Sequence, residues 1–469
     1  MPNGLRPFAK KREPGRGIAR NRRPVPNCIR AKIRALRLKF QAPAPVTPER
    51  PANLNQFQRL AEALLSVRAF STLRYREYRL LWFGQAFGSM GTLMDEVTRG
   101  WLIYELTDSV VQLGLVRGVM VVPYVLLAPL AGSAADRYSR KTQLMIAQLS
   151  NVIVYAVTAA LVLSGHIEPW HVYVMAFLAA SGQVFQQPAR SSMVTGSVPR
   201  EYITNAIGFN SLLFNVSRAA GPALAGALIV VTGTGGAFAV QALFLLTAAC
   251  FTFPLRPAPH PPRSGSARDE SFFGSILEGW KFSWQNQSVR AALACVMLAS
   301  FFIVPFTTML PVFARDLLQV GAQGQGFLLT GMGAGAFFSA ALVASAGHRL
   351  PRGLMMLVGS GCYGASVLLF AASPWYALSI LAMVLAGLSH VYCNVLVNTI
   401  VQTYSPAEFR GRSMAIFGMH QAVITVGAML YGALSTLEGV RWSVAIMASA
   451  GILSIVALHL AMPGAKHIR

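Results

Sequence analysis

Residues 110–164 read VVQLGLVRGVMVVPYVLLAPLAGSAADRYSRKTQLMIAQLSNVIVYAVTAALVLS. Two apolar runs, near 109–135 and 142–164, flank a turn holding one acid, Asp136, and three bases, Arg137, Arg140 and Lys141. At about 1.5 Å per helical residue, each run is long enough to cross a hydrocarbon core about 30 Å thick. Neither alternates with the period of two that barrel strands require. The stretch reads as two membrane-spanning helices joined by a short charged turn.

The pattern extends in both directions. Further runs lie near 79–104, 171–197, 204–231, 236–255, 290–314, 322–346, 353–372, 375–403, 412–434 and 441–461, giving twelve expected spans. Composition agrees: of 469 residues, 54% are hydrophobic and only 12% charged. Ordinary soluble domains carry roughly 25% charged residues, so there are too few polar side chains here for a water-facing surface. A soluble enzyme is excluded. The five cysteines (Cys28, Cys250, Cys295, Cys362, Cys393) show no C-x-x-C pair and no metal-ligand spacing to histidine, so neither a disulfide framework nor a metal is expected. No G-x-x-x-x-G-K-[ST] occurs, and Gly331-Met-Gly333-Ala-Gly335-Ala336 falls mid-span, where glycines serve helix packing rather than a dinucleotide. No cofactor is expected.

The net charge of +23 is distributed for a membrane, not for nucleic acid. Residues 1–77 hold 18 Lys and Arg against four acids, which is +14 of the total. The other bases cluster in alternate loops: Arg137, Arg140 and Lys141; Arg200; five between Arg256 and Arg290; Arg349 and Arg352; Arg410 and Arg412; Lys466 and Arg469. Opposite loops hold two, Arg315 and Arg441. Both termini are therefore expected in the cytoplasm. The tail lacks the apolar h-region of a secretory signal. Its Arg-rich, acid-poor character suits a disordered arm on an anionic leaflet, and is shared by organellar transit peptides.

Arg256–Glu270, RPAPHPPRSGSARDE, separates two groups of six runs. Residues 271–287 place Phe272, Ile276, Trp280 and Trp284 at helical spacing, as in an amphipathic surface helix. A weak repeat relates the groups: Pro199-Arg-Glu-Tyr202 and Pro406-Ala-Glu-Phe409, Gly221/Gly226 and Gly427/Gly432, Arg137/Arg140 and Arg349/Arg352. The expected organisation is a basic cytoplasmic tail (1–77), a six-helix bundle (78–255), a cytoplasmic linker (256–288), a second six-helix bundle (289–462) and a short tail (463–469). Two parallel-related halves are the repeat arrangement of many secondary transporters.

The turn Gly132-Ser-Ala-Ala-Asp136-Arg137-Tyr-Ser-Arg140-Lys141 resembles the loop after span two in the major facilitator superfamily, Gly-x-x-x-Asp-Arg-x-x-Arg-Lys/Arg. The resemblance covers about residues 69–462. FSTLRYREYRLLWFGQ, Gln187-Pro-Ala-Arg190, Pro199-Arg-Glu with Asn205-Ala-Ile, and Phe409-Arg-Gly-Arg412 resemble its drug and siderophore exporters, including enterobactin and macrolide exporters. It implies an all-α fold of twelve spans in two six-helix bundles, and a cytoplasmic gate at Gly132, Asp136, Arg137 and Arg140. Ala134 and Ser139 depart from the usual leucine and glycine, and His348 replaces the acid in the second copy. Gly221, Pro222 and Gly226 resemble the family's span-five Gly-Pro motif, a kinked and tightly packed helix with a hinge role.

Ionisable groups inside spans are costly and point to function. Only Asp95 and Glu96 among the acids, and Arg99, Arg117, Arg190 and Arg218 among the bases, fall well inside runs. Asp95 and Arg99 are four apart and can pair. Glu96 points about 100° away and needs another partner, with Arg218 or Arg190 as candidates. Asp95, Glu96 and Arg99 are the proton-coupling candidates, Glu96 foremost provided no arginine from another span holds it; they are not family positions. Polar stripes mark an expected cavity wall: Gln183, Gln187 and Arg190 on span four, Asn215 and Arg218 on span five, His390 and Asn394 on span ten, and His420 on span eleven. Interhelical hydrogen bonding is the competing account of these stripes.

The expected protein is a monomeric, proton-coupled exporter of small amphipathic molecules in a bacterial inner membrane, with protons, substrate and lipid as its partners and no nucleic acid. Alternatives are an uptake symporter for a small polar metabolite and a non-transporting sensor or scaffold. Topology is directly testable: reporters fused at Ser266 and at the C-terminus should both behave as internal, and an external Ser266 would invert every later loop.

Overall fold

A backbone inside hydrocarbon must satisfy its own N–H and C=O groups, and the described residues of the apolar runs do so chiefly as helix. The computed structural model describes residues 71–256, 272–346 and 351–462, apart from 128, 129, 132, 133 and 135–137. Most of the basic tail, the gate residues Gly132, Asp136 and Arg137, and most of the 256–270 break lie outside the described residues. Ala63–Arg469 form one unit. No strand occurs among the described residues.

The helices are α1 (Arg76–Thr107), α2 (Val110–Leu126), α3 (Arg140–Leu163), α4 (Pro169–Gly196), α5 (Ile203–Thr252), α6 (Phe272–Gln285), α7 (Gln287–Leu317), α8 (Gly321–Ala346), α9 (Arg352–Ala372), α10 (Tyr376–Tyr404), α11 (Glu408–Glu438) and α12 (Val440–Ala461). α5 is two limbs joined at Gly233, whose φ of 72° is a left-handed conformation that glycine adopts without strain. The limbs run in opposite directions along α1: Ser217 of the first meets Ser89 at 3.0 Å, and Gln241 of the second donates to Thr98 at 2.8 Å. Seven stretches among the described residues are long and apolar enough to span a membrane. With α5 taken as two limbs, and α1, α2, α4 and α8 added, there are twelve passes, matching the twelve runs.

α1 packs along both limbs of α5, with α3 and α4 beside them; α8, α9 and α10 pack together in the second half, with α7, α11 and α12. Two seams join the halves, α2 against α11 and α5 against α8. In a six-helix repeat α2 corresponds to α8, and the first limb of α5 to α11, so the seams are one contact used twice. Both are made by glycine. A Cβ on Gly114 would lie 2.7 Å from the Ala428 carbonyl oxygen, on Gly226 2.6 Å from that of Ala322, and on Gly326 2.5 Å from that of Pro222. Backbones approach this closely only where side chains are missing. These approaches lie in the part of each helix nearest the Gly233 turn, the end opposite the basic 138–141 turn.

At that same end the tips of α1 and α7 are tied. Arg315 Nη2 lies 2.6 Å from Asp108 Oδ1, and the Tyr104 hydroxyl donates to Asp316. α6 docks on α11: Phe282 stacks on Phe409 with ring centroids 4.7 Å apart, and Arg412 pairs with Glu278. Trp280 and Trp284 remain exposed on its other face.

Inside the second half α10 presses directly on α8. A Cβ on Gly387 would sit 1.9 Å from the Met332 carbonyl oxygen, whereas one on Gly361 of α9 meets nothing within 4 Å. Overpacking of this kind costs about 1–3 kcal/mol, and helical Gly→Ala in open space gains roughly 0.5–1 kcal/mol. Gly387→Ala should therefore lower the thermal midpoint of the detergent-purified protein while Gly361→Ala leaves it unchanged or raises it. The reverse order would refute the α8–α10 contact.

Candidate functional site

The charged turn of α1 presents two carboxylates on different faces. Asp95 points into the first half and is 2% exposed; Arg99, one turn on, is 4% exposed and holds it at 3.0 Å. Arg99 also contacts Met120 Sδ of α2 at 2.9 Å, and the Tyr155 hydroxyl of α3 comes within reach of the Asp95 carboxylate. The expected pair is present, enclosed by α2 and α3 as well as its own helix. It joins three helices rather than facing a cavity.

Glu96, rotated off that face, accepts from Arg117 Nη2 of α2 at 2.7 Å. Its partner is therefore Arg117, not Arg218 or Arg190, and the condition that no arginine from another span holds it is not met. Arg190 turns elsewhere, donating to Gln186 Oε1 at 3.3 Å and lying against Gly88. The Glu96–Arg117 pair is a quarter to a third exposed, unlike its sealed neighbour. α2 carries Arg117 and also forms a seam with α11 through Gly114 and Gly118. Arg117 is therefore carried on a helix that also meets the second half.

Beyond Glu96, groups of the second half come into electrostatic reach. Arg218 of α5 is in electrostatic reach of Glu96 and of Tyr363 and His390, from α9 and α10. The His390 ring stacks on Tyr363 with centroids 5.0 Å apart. Gln183 accepts from the Tyr124 hydroxyl at 3.1 Å, linking α4 to α2. Asn215 bonds only to the Ser211 carbonyl of its own helix, Gln187 is exposed, and Asn394 is half-buried. His420 is not brought into this group by a hydrogen bond: its Nδ1 meets the Phe417 carbonyl at 2.7 Å, where α11 is interrupted at Met419. Among the described residues no cluster of three or more His, Cys, Asp or Glu could hold a metal.

The backbone stays helical through Pro222, and the break comes at Gly233. Gly221 packs on Leu93 and Met90 of α1, and Gly226 on α8. Arg140 begins α3, and Ser139 caps that helix by accepting from the Thr142 amide, which gives the departure from glycine a structural use. Sequence reading did not single out Tyr124, Tyr155, Tyr363, Met120 or Gln186, because uncharged residues in apolar runs carry no signal until helices are brought together.

Comparison with known proteins agrees with this architecture. Residues 67–467 match the family model described as transmembrane secretion effector. The chain is 24% identical to the multidrug efflux pump Tap of Mycolicibacterium fortuitum, over 81% of this chain and 95% of that protein. It is 22% identical to the staphyloferrin A transporter of Staphylococcus aureus (76% and 89% covered) and 21% identical to macrolide efflux protein A of Streptococcus pyogenes (74% and 86%). Among solved structures, a bacterial homolog to the human lysosomal transporter Spinster aligns with a TM-score of 0.65 at 16% identity, covering 84% of this chain and 96% of that one. The nucleoside transporter NupG aligns at 0.64 and 15%, covering 82% and 98%.

The two carboxylates should separate by mutation. Removing one partner of a buried pair costs about 3–5 kcal/mol, because the other charge is left stranded. Asp95→Asn should therefore lower the thermal midpoint well below that of Glu96→Gln, and adding Arg99→Gln to Asp95→Asn should recover part of the loss. Equal midpoints for the two single variants would deny Asp95 its structural role.

Proposed function

The chain belongs to the transmembrane secretion effector family of the major facilitator superfamily, and from that premise we propose that it exports small amphipathic molecules, drug- or siderophore-like, in exchange for protons. It is a multi-pass membrane transporter. We place it in the bacterial inner membrane as a monomer with both termini in the cytoplasm. Export is supported by relatives that are efflux pumps, and transport in general by the repeated seams, which suit two halves that rock about a central site.

The observation that carries proton coupling is the Glu96–Arg117 pair, partly exposed and carried on a seam helix. While the guanidinium holds the carboxylate, there is no site for a proton; once α2 moves with the seam, the carboxylate is released and can accept one. Proton uptake and the movement of the halves are thereby the same event. Asp95, sealed with Arg99, has no such freedom and steadies the bundle. On the expected orientation the glycine seams and the Arg315–Asp108 tie close the outer end, and the cavity opens inward. Asp136, Arg137 and Arg140, with Gly132, would close the inner end in the opposite state, while Gly221, Pro222 and Gly226 would act as the bearing surface of the α5 seam.

The test is accumulation of a panel of dyes, macrolides and siderophores in an exporter-deficient strain. Expression should lower accumulation of at least one compound, a protonophore should erase that difference, and Glu96→Gln should erase it at normal protein level. Raised accumulation would establish uptake instead. Gradient-driven export by Glu96→Gln with unchanged pH dependence would move the proton site elsewhere.

A further inference from the structure

The charges inside the spans do not balance, and one of the surplus bases, Arg218, stands where α5 meets α8: a Cβ on Gly333 of α8 would lie 2.8 Å from the Arg218 carbonyl oxygen. Four arginines, Arg99, Arg117, Arg190 and Arg218, stand against two carboxylates. Both carboxylates are already engaged, Asp95 by Arg99 and Glu96 by Arg117. Arg190 is occupied by Gln186, whereas the Arg218 side chain has neither an ion pair nor a hydrogen bond among the described residues. Ser217, its neighbour, bonds to Ser89, which places Arg218 near the middle turns of α1.

Within electrostatic reach of Arg218, in the second half, are two more polar groups with an unbonded buried atom. Tyr363 is 1% exposed, and its hydroxyl makes no hydrogen bond. His390, stacked on that ring, has a buried Nδ1 that is likewise unbonded. Both lie in electrostatic reach of Arg218. A guanidinium offers only donors, a phenol offers one, and an imidazole nitrogen offers one in the appropriate tautomer. The acid in reach of this group, Glu96, already accepts from Arg117. What the three groups share is an unfilled demand for an acceptor, and buried polar groups are rarely left so without reason.

We infer that Arg218, Tyr363 and His390 form the binding site for the anionic group of the transported molecule, so that the substrate is an amphipathic organic anion rather than a cation. This rests on the reading of the chain as a transporter. A carboxylate or sulfonate offers several acceptor lone pairs, and a planar guanidinium matches it with two parallel bonds. A cation at the same place would meet an unneutralised arginine. Because Arg218 belongs to the first half and Tyr363 and His390 to the second, the bound anion also joins the two halves. Substrate occupancy thereby changes the contact that must form and break as they rock.

Two xanthene dyes of opposite charge provide the probe: fluorescein, an aromatic carboxylate, and rhodamine 6G, a cation. Binding to the purified full-length protein in uncharged detergent is read by fluorescence polarisation. Fluorescein should bind at least 10-fold more tightly than rhodamine 6G. Arg218→Gln should weaken fluorescein by 10-fold or more, Arg218→Lys should restore part of it, and Tyr363→Phe, which keeps the ring, should weaken it about 3-fold. Tighter binding of rhodamine 6G, no binding of fluorescein, or unchanged fluorescein binding by Arg218→Gln would each overturn the proposal. A short-chain phosphatidylglycerol displacing the dye at equal concentration would reassign the site to a lipid headgroup and overturn it as a substrate site. The measurement needs no gradient, so anion binding without efflux would refute export alone, and efflux of cations without fluorescein binding would refute this site alone.

Discussion

Charge in hydrocarbon is the constraint on which the rest of this structure turns. An ionised side chain at mid-membrane costs at least ~2.5 kcal/mol even by the lenient insertion scales, and α1 carries Asp95, Glu96 and Arg99 within five consecutive residues. Successive helical residues are about 100° apart, so the two carboxylates cannot share a solution. Asp95 is neutralised along its own helix by Arg99, and that pair is then walled in by Tyr155 and Met120. Glu96 has to look to a neighbouring helix. Arg117 supplies the charge, and with it comes dependence on wherever α2 happens to be.

That dependence matters because the glycines of α2 are part of a seam. Lipid chains are as apolar as leucine, so helices in a bilayer gain little from hiding apolar surface and associate through close backbone approach and polar contacts. Gly114 of α2 against α11, Gly226 of α5 against α8 and Gly326 of α8 against α5 bring main chains together, and the Thr330 hydroxyl of α8 donates across the second seam to the Ala219 carbonyl at 2.8 Å. The large buried cluster runs through these seams as well as through the α8–α10 contact, taking in Leu113 and Ala225 together with Met332 and Ala386. Seams that rest on backbone approach rather than on large side chains suit two bodies that part and meet again, as alternating access would require.

Much of the fold was legible because the bilayer imposes length. Runs of about 20 residues could only be helices, and the gap between the runs ending at 231 and starting at 236 falls on the Gly233 turn. The Asp95–Arg99 pair was legible too, since an i,i+4 relation is intrinsic to the helix. The partner of Glu96 was not, because it depends on which face of α2 meets α1, and nothing local in either segment specifies that. Tyr363 illustrates the same limit from the neutral side, beside a His390 already expected on the cavity wall: a tyrosine in an apolar run looks like packing until an arginine from the other half comes into its electrostatic reach. Arg315 was legible only as a topology signal, and its contact with Asp108 needed the tips of α1 and α7 to be brought together. Around Pro222 local chemistry marked an unusual helix, but only the packed structure shows that Gly221 meets α1 and Gly226 meets α8.

The surplus of arginine over carboxylate also limits what a single proton can do here. If Glu96 releases Arg117 on protonation, the site gains a second unpaired guanidinium and becomes more positive, not less. An anion held by Arg218 would then be bound more firmly in the protonated state and loosened when the proton leaves. That order suits a carrier in which proton and anion travel in the same direction. Exchange requires the opposite, namely that the state with the proton on Glu96 be the one whose halves have already parted Arg218 from Tyr363 and His390. The cross-half placement of the three groups provides that separation: an anion site built by two bodies is dismantled whenever they rock, whatever the local charge. In an exporter of this geometry the rocking, rather than the electrostatics of Glu96, has to release the cargo, and Glu96 sets only when the rocking is allowed.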